Sequence, residues 1–113
     1  MRKITVYYDN IQQEVEIEND KLIVPDGVEK VYCSKNKLKE LILPKGVKYV
    51  SCNNNQLTEL VLPNGIKWVS CGNNQLKQLI LPEGVKKVSC DNNQLTELIL
   101  PKGVEPNSIF RGV

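Results

Sequence analysis

The sequence predicts a mainly β solenoid, a stack of about four 19-residue coils with no ordinary α-helices. The first observation is a strict period. Prolines recur at Pro25, Pro44, Pro63, Pro82 and Pro101, cysteines at Cys33, Cys52, Cys71 and Cys90, and glycines at Gly27, Gly46, Gly65, Gly84 and Gly103, all at a step of 19 residues. A fixed period near 20 residues marks units that cannot bury their apolar side alone and stack into one continuous core. The second observation is short apolar/polar alternation inside each unit, bounded by turn-forming residues. The third is space: 19 residues holding two turns leave no room for a helix of ordinary length.

In chain order, residues 1–24 form an N-terminal cap. Ile4-Thr5-Val6-Tyr7-Tyr8, then Asp9-Asn10, then Val15-Glu16-Ile17-Glu18 reads as a β-hairpin covering the first coil. Asn19 to Val24 imitate the second strand of a repeat. Residues 25–103 are the solenoid. Residues 104–113 are a thin C-terminal cap or tail: the frame breaks after Val104, Pro106 ends the pattern, and Ile109 and Phe110 are expected to fold over the last coil. At 113 residues, the three parts make one continuous domain.

One unit runs from Val47 to Gly65. Numbered from Val47, its apolar residues fall at positions 1, 4, 6, 11, 14 and 16, with Asn55 at position 9. Positions 4 and 6 alternate with polar neighbours, the pattern of a half-buried strand, and so do 14 and 16. Between these strands lie the Asn-rich positions 7 to 10 and the Pro-x-Gly at 17 to 19, both turn chemistry.

The frame Val-x-x-Val-x-Cys-x-x-Asn-x-Leu, seen in Val28 to Leu38 and repeated through Val85 to Leu95, resembles the leucine-rich repeat motif. The Leu-Pro-x-Gly-Val junction and the short period resemble its bacterial-effector class. The chain departs from the pattern at position 6, where Cys replaces Leu, and at positions 1 and 4, where Val or Ile stands. Each swap keeps an apolar, β-favouring side chain. The resemblance implies a curved solenoid with a parallel sheet on its concave face, serving as a protein-interaction scaffold. It also implies delivery into a host cell without a cleavable signal.

Stacking sets the roles of the repeated residues. Position 6 points inward, so the four cysteines form a column of packed free thiols. In-register strands lie about 4.8 Å apart, wider than a disulfide favours, and a column is not a tetrahedral zinc site. Free thiols point to a reducing, cytoplasmic compartment. Asn36, Asn55, Asn74 and Asn93 form a second column, whose amides satisfy backbone groups of adjacent coils.

Composition narrows the function. Fifteen Lys plus Arg against thirteen Asp plus Glu give a net charge of +2, which argues against a dedicated nucleic-acid binder. Histidine is absent, so imidazole acid-base chemistry and metal ligation are excluded. There is no phosphate-binding glycine loop and no carboxylate pair, and the cysteines face the core. A non-enzymatic protein with no metal and no cofactor is expected. Apolar runs are too short for a membrane span.

Function is expected on outward rows. Position 3 holds Lys30, Tyr49, Trp68 and Lys87; position 5 begins with Tyr32. The only Trp and two of the four Tyr thus fall on the concave sheet, and such residues are enriched in binding hot spots. Lys48, Lys67 and Lys86 stack at position 2, a like-charge row suited to an acidic partner. Tyr32, Tyr49 and Trp68, with Lys30, Lys48, Lys67, Lys86 and Lys87, are therefore the candidate site for a protein or peptide. Ile42, Val61, Ile80 and Ile99 form an outward apolar stripe on the convex side, the candidate surface for self-association, with the thin C-terminal edge as another. The stripe allows a monomer or a weak homo-oligomer. A third reading is a weak single-stranded nucleic-acid binder, with lysines flanking Tyr49 and Trp68.

Overall fold

The computed structural model describes residues 2–8, 11–101 and 110–111. Among them every regular element is a strand, and the strands stack as a β-solenoid of about four turns.

One side of the solenoid is a seven-stranded sheet. Its parallel body comprises β4 (Lys30–Tyr32), β6 (Tyr49–Ser51), β7 (Trp68–Ser70) and β9 (Lys87–Ser89). Each residue stands opposite the one 19 positions on, as Val31, Val50, Val69 and Val88 do. These valines are buried, and so are Cys33, Cys52, Cys71 and Cys90 two residues later. The alternation of the sequence is thus the alternation of a pleated strand with one face in the core.

The turns follow from residue choice. Position 8 sits in the left-handed region in every coil, at φ 61° for Lys35, 58° for Asn54, 55° for Asn73 and 56° for Asn92. Asn tolerates this conformation best of the side-chain-bearing residues. At the other corner Pro63-Asn64-Gly65-Ile66 closes with the Ile66 N–H on the Pro63 carbonyl at 3.4 Å, and Gly65 takes φ 92°. That is a type II turn, which demands glycine at its third residue.

The N-terminal hairpin consists of β1 (Arg2–Tyr8) and β2 (Ile11–Ile17), paired over seven residues, so its second strand begins earlier than the sequence suggested. The Asp9-Asn10 turn lies outside the described residues. The hairpin extends the sheet edge: β1 pairs antiparallel with β4 and delivers Ile4 and Val6 to the core, where Ile17 joins them. A second tight turn follows. Glu18 and Lys21 exchange two backbone hydrogen bonds, at 3.2 and 2.9 Å, around Asn19 and Asp20 at φ 52° and 60°. This type I′ turn feeds β3 (Lys21–Ile23), which imitates the second strand of a repeat as expected.

The opposite side departs from expectation. β3 pairs β5 (Glu40–Ile42), and β8 (Gln78–Ile80) pairs β10 (Glu97–Ile99). Between these pairs Glu59–Val61 forms no strand. Thr58 to Pro63 differs from Thr96 to Pro101 only in Val61 for Ile99, so the cause lies in the ladder and not in a residue. Rungs three residues long, with proline two residues beyond their ends, offer few hydrogen bonds. One opens while Leu60 and Leu62 stay buried.

The C-terminal end also differs. There β11 (Phe110–Arg111) adds a parallel strand beside β9, with Phe110 opposite Val88, three residues later than the repeat step would place it. Pro106 and Ile109 lie outside the described residues. Leu95, Leu98 and Leu100 are half-buried where their counterparts Leu76, Leu79 and Leu81 are buried.

Candidate interaction face

The outer face of the long sheet gathers the aromatic residues. Parallel pairing sets Lys30, Tyr49, Trp68 and Lys87 on one row of rungs and Tyr32, Ser51, Ser70 and Ser89 on the next. Tyr32 and Tyr49 meet diagonally with ring centroids 5.3 Å apart and planes tilted by 42°. Tyr49 and Trp68 meet edge to face at 6.0 Å and 68°. Both lie in the range where aromatic pairs attract beyond their area burial. Tyr32 and Trp68 remain 44% and 43% exposed at the ends of this run. Beside Trp68 a shallow groove of about 430 Å³ is lined by Tyr49, Trp68, Ser70, Lys87 and Ser89.

On the same face, beside the rings, runs a polar network that sequence reasoning missed. Ser34 and Ser51 hydroxyls share a hydrogen bond at 3.2 Å, and Ser34 Oγ accepts the Asn53 N–H at 3.1 Å. Asn53 Oδ1 accepts the Ser70 hydroxyl at 3.0 Å and the Gly72 N–H at 2.6 Å. A side chain at Gly72 would bring its Cβ to 3.3 Å from the Asp91 carbonyl and 3.4 Å from Asn53 Oδ1. The signal was present as small or polar residues at position 7, Ser34, Asn53, Gly72 and Asp91.

The lysines divide. Lys30 and Lys87 bracket the aromatic row on the sheet itself. Lys48 and Lys67 run along the next coil instead: Lys48 Nζ lies 3.6 Å from where a Gly65 Cβ would sit, and Lys67 Nζ 3.1 Å from the corresponding point on Gly84. Lys86 is exposed. Lys3 and Glu14 pair at 4.0 Å on the hairpin strands of this same outward face, and Lys21 pairs with Glu40 at 3.6 Å on the opposite side.

Beneath the face lies the asparagine column. Asn55 Oδ1 accepts the N–H groups of Asn36 and Leu38 at 3.0 and 2.9 Å, while Nδ2 donates to the Cys33 and Cys52 carbonyls at 3.1 and 3.0 Å. One and two coils on, Asn74 and Asn93 accept the Leu57 and Leu76 N–H groups at 3.1 and 3.0 Å and each donates to two cysteine carbonyls. Burial pushes the Cys33 and Cys71 thiols up to about 12 and Cys90 to about 11, and raises Cys52 well above its ordinary value. Thiols so placed stay protonated at neutral pH and sit apart from solvent. Among the described residues no three side chains of metal-ligating type gather together, and no helix is long and apolar enough to cross a membrane.

Comparison with protein families, curated proteins and solved structures returned no match.

The apolar stripe lies on the opposite side. Ile42, Val61, Ile80 and Ile99 are all exposed, Val61 most of all at 77%, and Ile23 on β3 extends the row by one rung. Cavities of about 380 and 290 Å³ flank the open rung, the first between Ile42 and Val61, the second between Val61 and Ile80.

Proposed function

We propose that this chain is a non-enzymatic interaction module that binds a peptide or protein partner on the outer face of the long sheet. The observation that carries the reading is the run of Tyr32, Tyr49 and Trp68, three rings in contact on consecutive rungs yet exposed at both ends. Such rings offer a large, stiff, partly apolar surface at low entropic cost. The polar network from Ser34 to Gly72 ties the neighbouring rungs together on the same face. The resemblance to leucine-rich repeat scaffolds points the same way. Seven strands span about 29 Å at the usual spacing, wider than four coils alone would give and long enough for an extended peptide. Lys30 and Lys87 at either end, in no ion pair among the described residues, favour acidic residues in that partner.

The test is capture from candidate host lysates with wild type and with Tyr49→Ala plus Trp68→Ala. A protein retained by the first and lost by the second places binding on this face. A partner held equally by both overturns the reading.

The exposed stripe favours a second reading, self-association through Ile42, Val61, Ile80 and Ile99. Under it, Val61→Glu would lower the mass measured by light scattering, and a strict monomer at high concentration would remove it.

A further inference from the structure

Strand β2 ends the long sheet. On one side β1 pairs with all seven of its residues; on the other, among the described residues, nothing does. Proteins blunt such edges with short strands, charged side chains (Lys above all), Pro or bulges, because an open row of backbone donors and acceptors recruits another strand. This edge, Ile11-Gln12-Gln13-Glu14-Val15-Glu16-Ile17, is long and carries neither Lys nor Pro. Its core-side face also overhangs the solenoid. Ile17 is buried and Val15 half-buried, but Ile11 on the same face is 53% exposed.

We propose that β2 pairs antiparallel with β2 of a second copy, about a two-fold axis at Gln13, joining two long sheets into one. The strand is complementary to itself in that register. Ile11 falls opposite the partner's Val15, covering the overhanging apolar residues. Gln12 falls opposite the partner's Glu14, an amide against a carboxylate. The registers shifted toward Ile17 are worse. An axis at Glu14 sets two carboxylates face to face, and an axis at Val15 sets Glu14 against Glu16 twice. Like charges directly opposite destabilise a strand pair. The two-fold contact uses the same patch on both copies, so it closes at a dimer and builds no fibre. It is small beside a standard interface of about 800 Å² per partner, so the dimer fraction rises with concentration. A two-fold axis normal to the sheet leaves both aromatic runs on one side, so the dimer would offer two binding faces to one target. Linked binding of that kind raises avidity without a new contact.

The test is disulfide trapping on the full chain. The four native cysteines are buried in the core, so a cysteine introduced on β2 is the accessible thiol. At the axis, Gln13→Cys places two Cα atoms about 4.5–5.5 Å apart, within disulfide range. Glu16→Cys places them about 20 Å apart. Mild oxidation should link most of the Gln13→Cys chains and leave Glu16→Cys monomeric. Gln13→Glu and Gln13→Lys should each abolish the dimer seen by light scattering in wild type, and mixing the two variants should restore it. Equal trapping at both positions, a wild type that stays monomeric at millimolar concentration, or a dimer indifferent to both charge variants overturns the proposal. A dimer lost only with Val61→Glu assigns association to the apolar stripe and overturns it as well.

Discussion

Asn55 Oδ1 accepts the buried Leu38 N–H at 2.9 Å, across the boundary between two coils. The coil that supplies the carboxamide is the later one, so each Asn secures the coil before it. Asn36 has no complete coil before it. It is half-buried and donates to the Ser34 carbonyl at 2.9 Å. Asn55→Leu strands the Asn36 and Leu38 N–H groups and the Cys33 carbonyl, while the Cys52 carbonyl keeps Asn74 Nδ2; each group left unmet costs about 1–3 kcal/mol. The expected loss for Asn55→Leu is about 3 kcal/mol or more, against about 1 kcal/mol for Asn36→Leu. Urea unfolding midpoints check the ratio. Equal losses would contradict the ladder as drawn.

Position 8 offers the opposite sign. Lys35 occupies the left-handed region at φ 61°, where Asn54, Asn73 and Asn92 stand in later coils. Lys35→Asn should stabilise the protein by about 0.5–1 kcal/mol. Asn73→Val should cost about 1–2 kcal/mol, since a β-branched residue resists that conformation. Thermal unfolding of both variants measures the two effects.

Gly72 is fixed by space and not by its backbone angle. Ala there must displace the Asp91 carbonyl or Asn53 Oδ1, at an expected cost of about 1 kcal/mol, and Val about 2–3 kcal/mol. The same variants should weaken partner capture, because the Asn53–Ser70 bond ties the rungs of Tyr49 and Trp68 together on that face. Stability and capture are measured side by side on Gly72→Ala.

Alkaline pH should unfold the chain through its thiols. Folded Cys33 and Cys71 titrate near 12 and Cys90 near 11, against 9.0 for an unburied thiol. The unfolded state therefore loses protons first, so stability is full below pH 9 and falls as pH rises from there toward 12. Urea midpoints from pH 7 to 11 test this. Cys71→Ala should flatten the decline while lowering the neutral-pH midpoint through the small cavity it leaves.

The 19-residue step, the inward cysteines and the asparagine column were legible because each repeats a residue with one physical role. Val50 and Cys52 had to face inward once alternation placed them on one side of a strand. Features that depend on a single occurrence were not legible. The three-residue delay that brings Phe110 opposite Val88 has no repeat to announce it. The open rung at Glu59–Val61 has nearly the sequence of the closed one at Glu97–Ile99, so no local signal separates them. The Asn19-Asp20 turn had its signature in two adjacent residues tolerant of positive φ. At the candidate site the aromatic row followed from period and alternation alone. The directions of Lys48 and Lys67 did not, since a long side chain chooses its path by what the next coil leaves open.

Trp68 is the only tryptophan in the chain, so its emission reports the proposed face directly. The most direct measurement is a fluorescence titration of wild type with the captured partner, beside Tyr32→Ala plus Tyr49→Ala. Binding on this face requires a saturable blue shift as the exposed indole is covered, lost or weakened at least tenfold in the double variant. A partner that binds by calorimetry while Trp68 emission stays unchanged would contradict it.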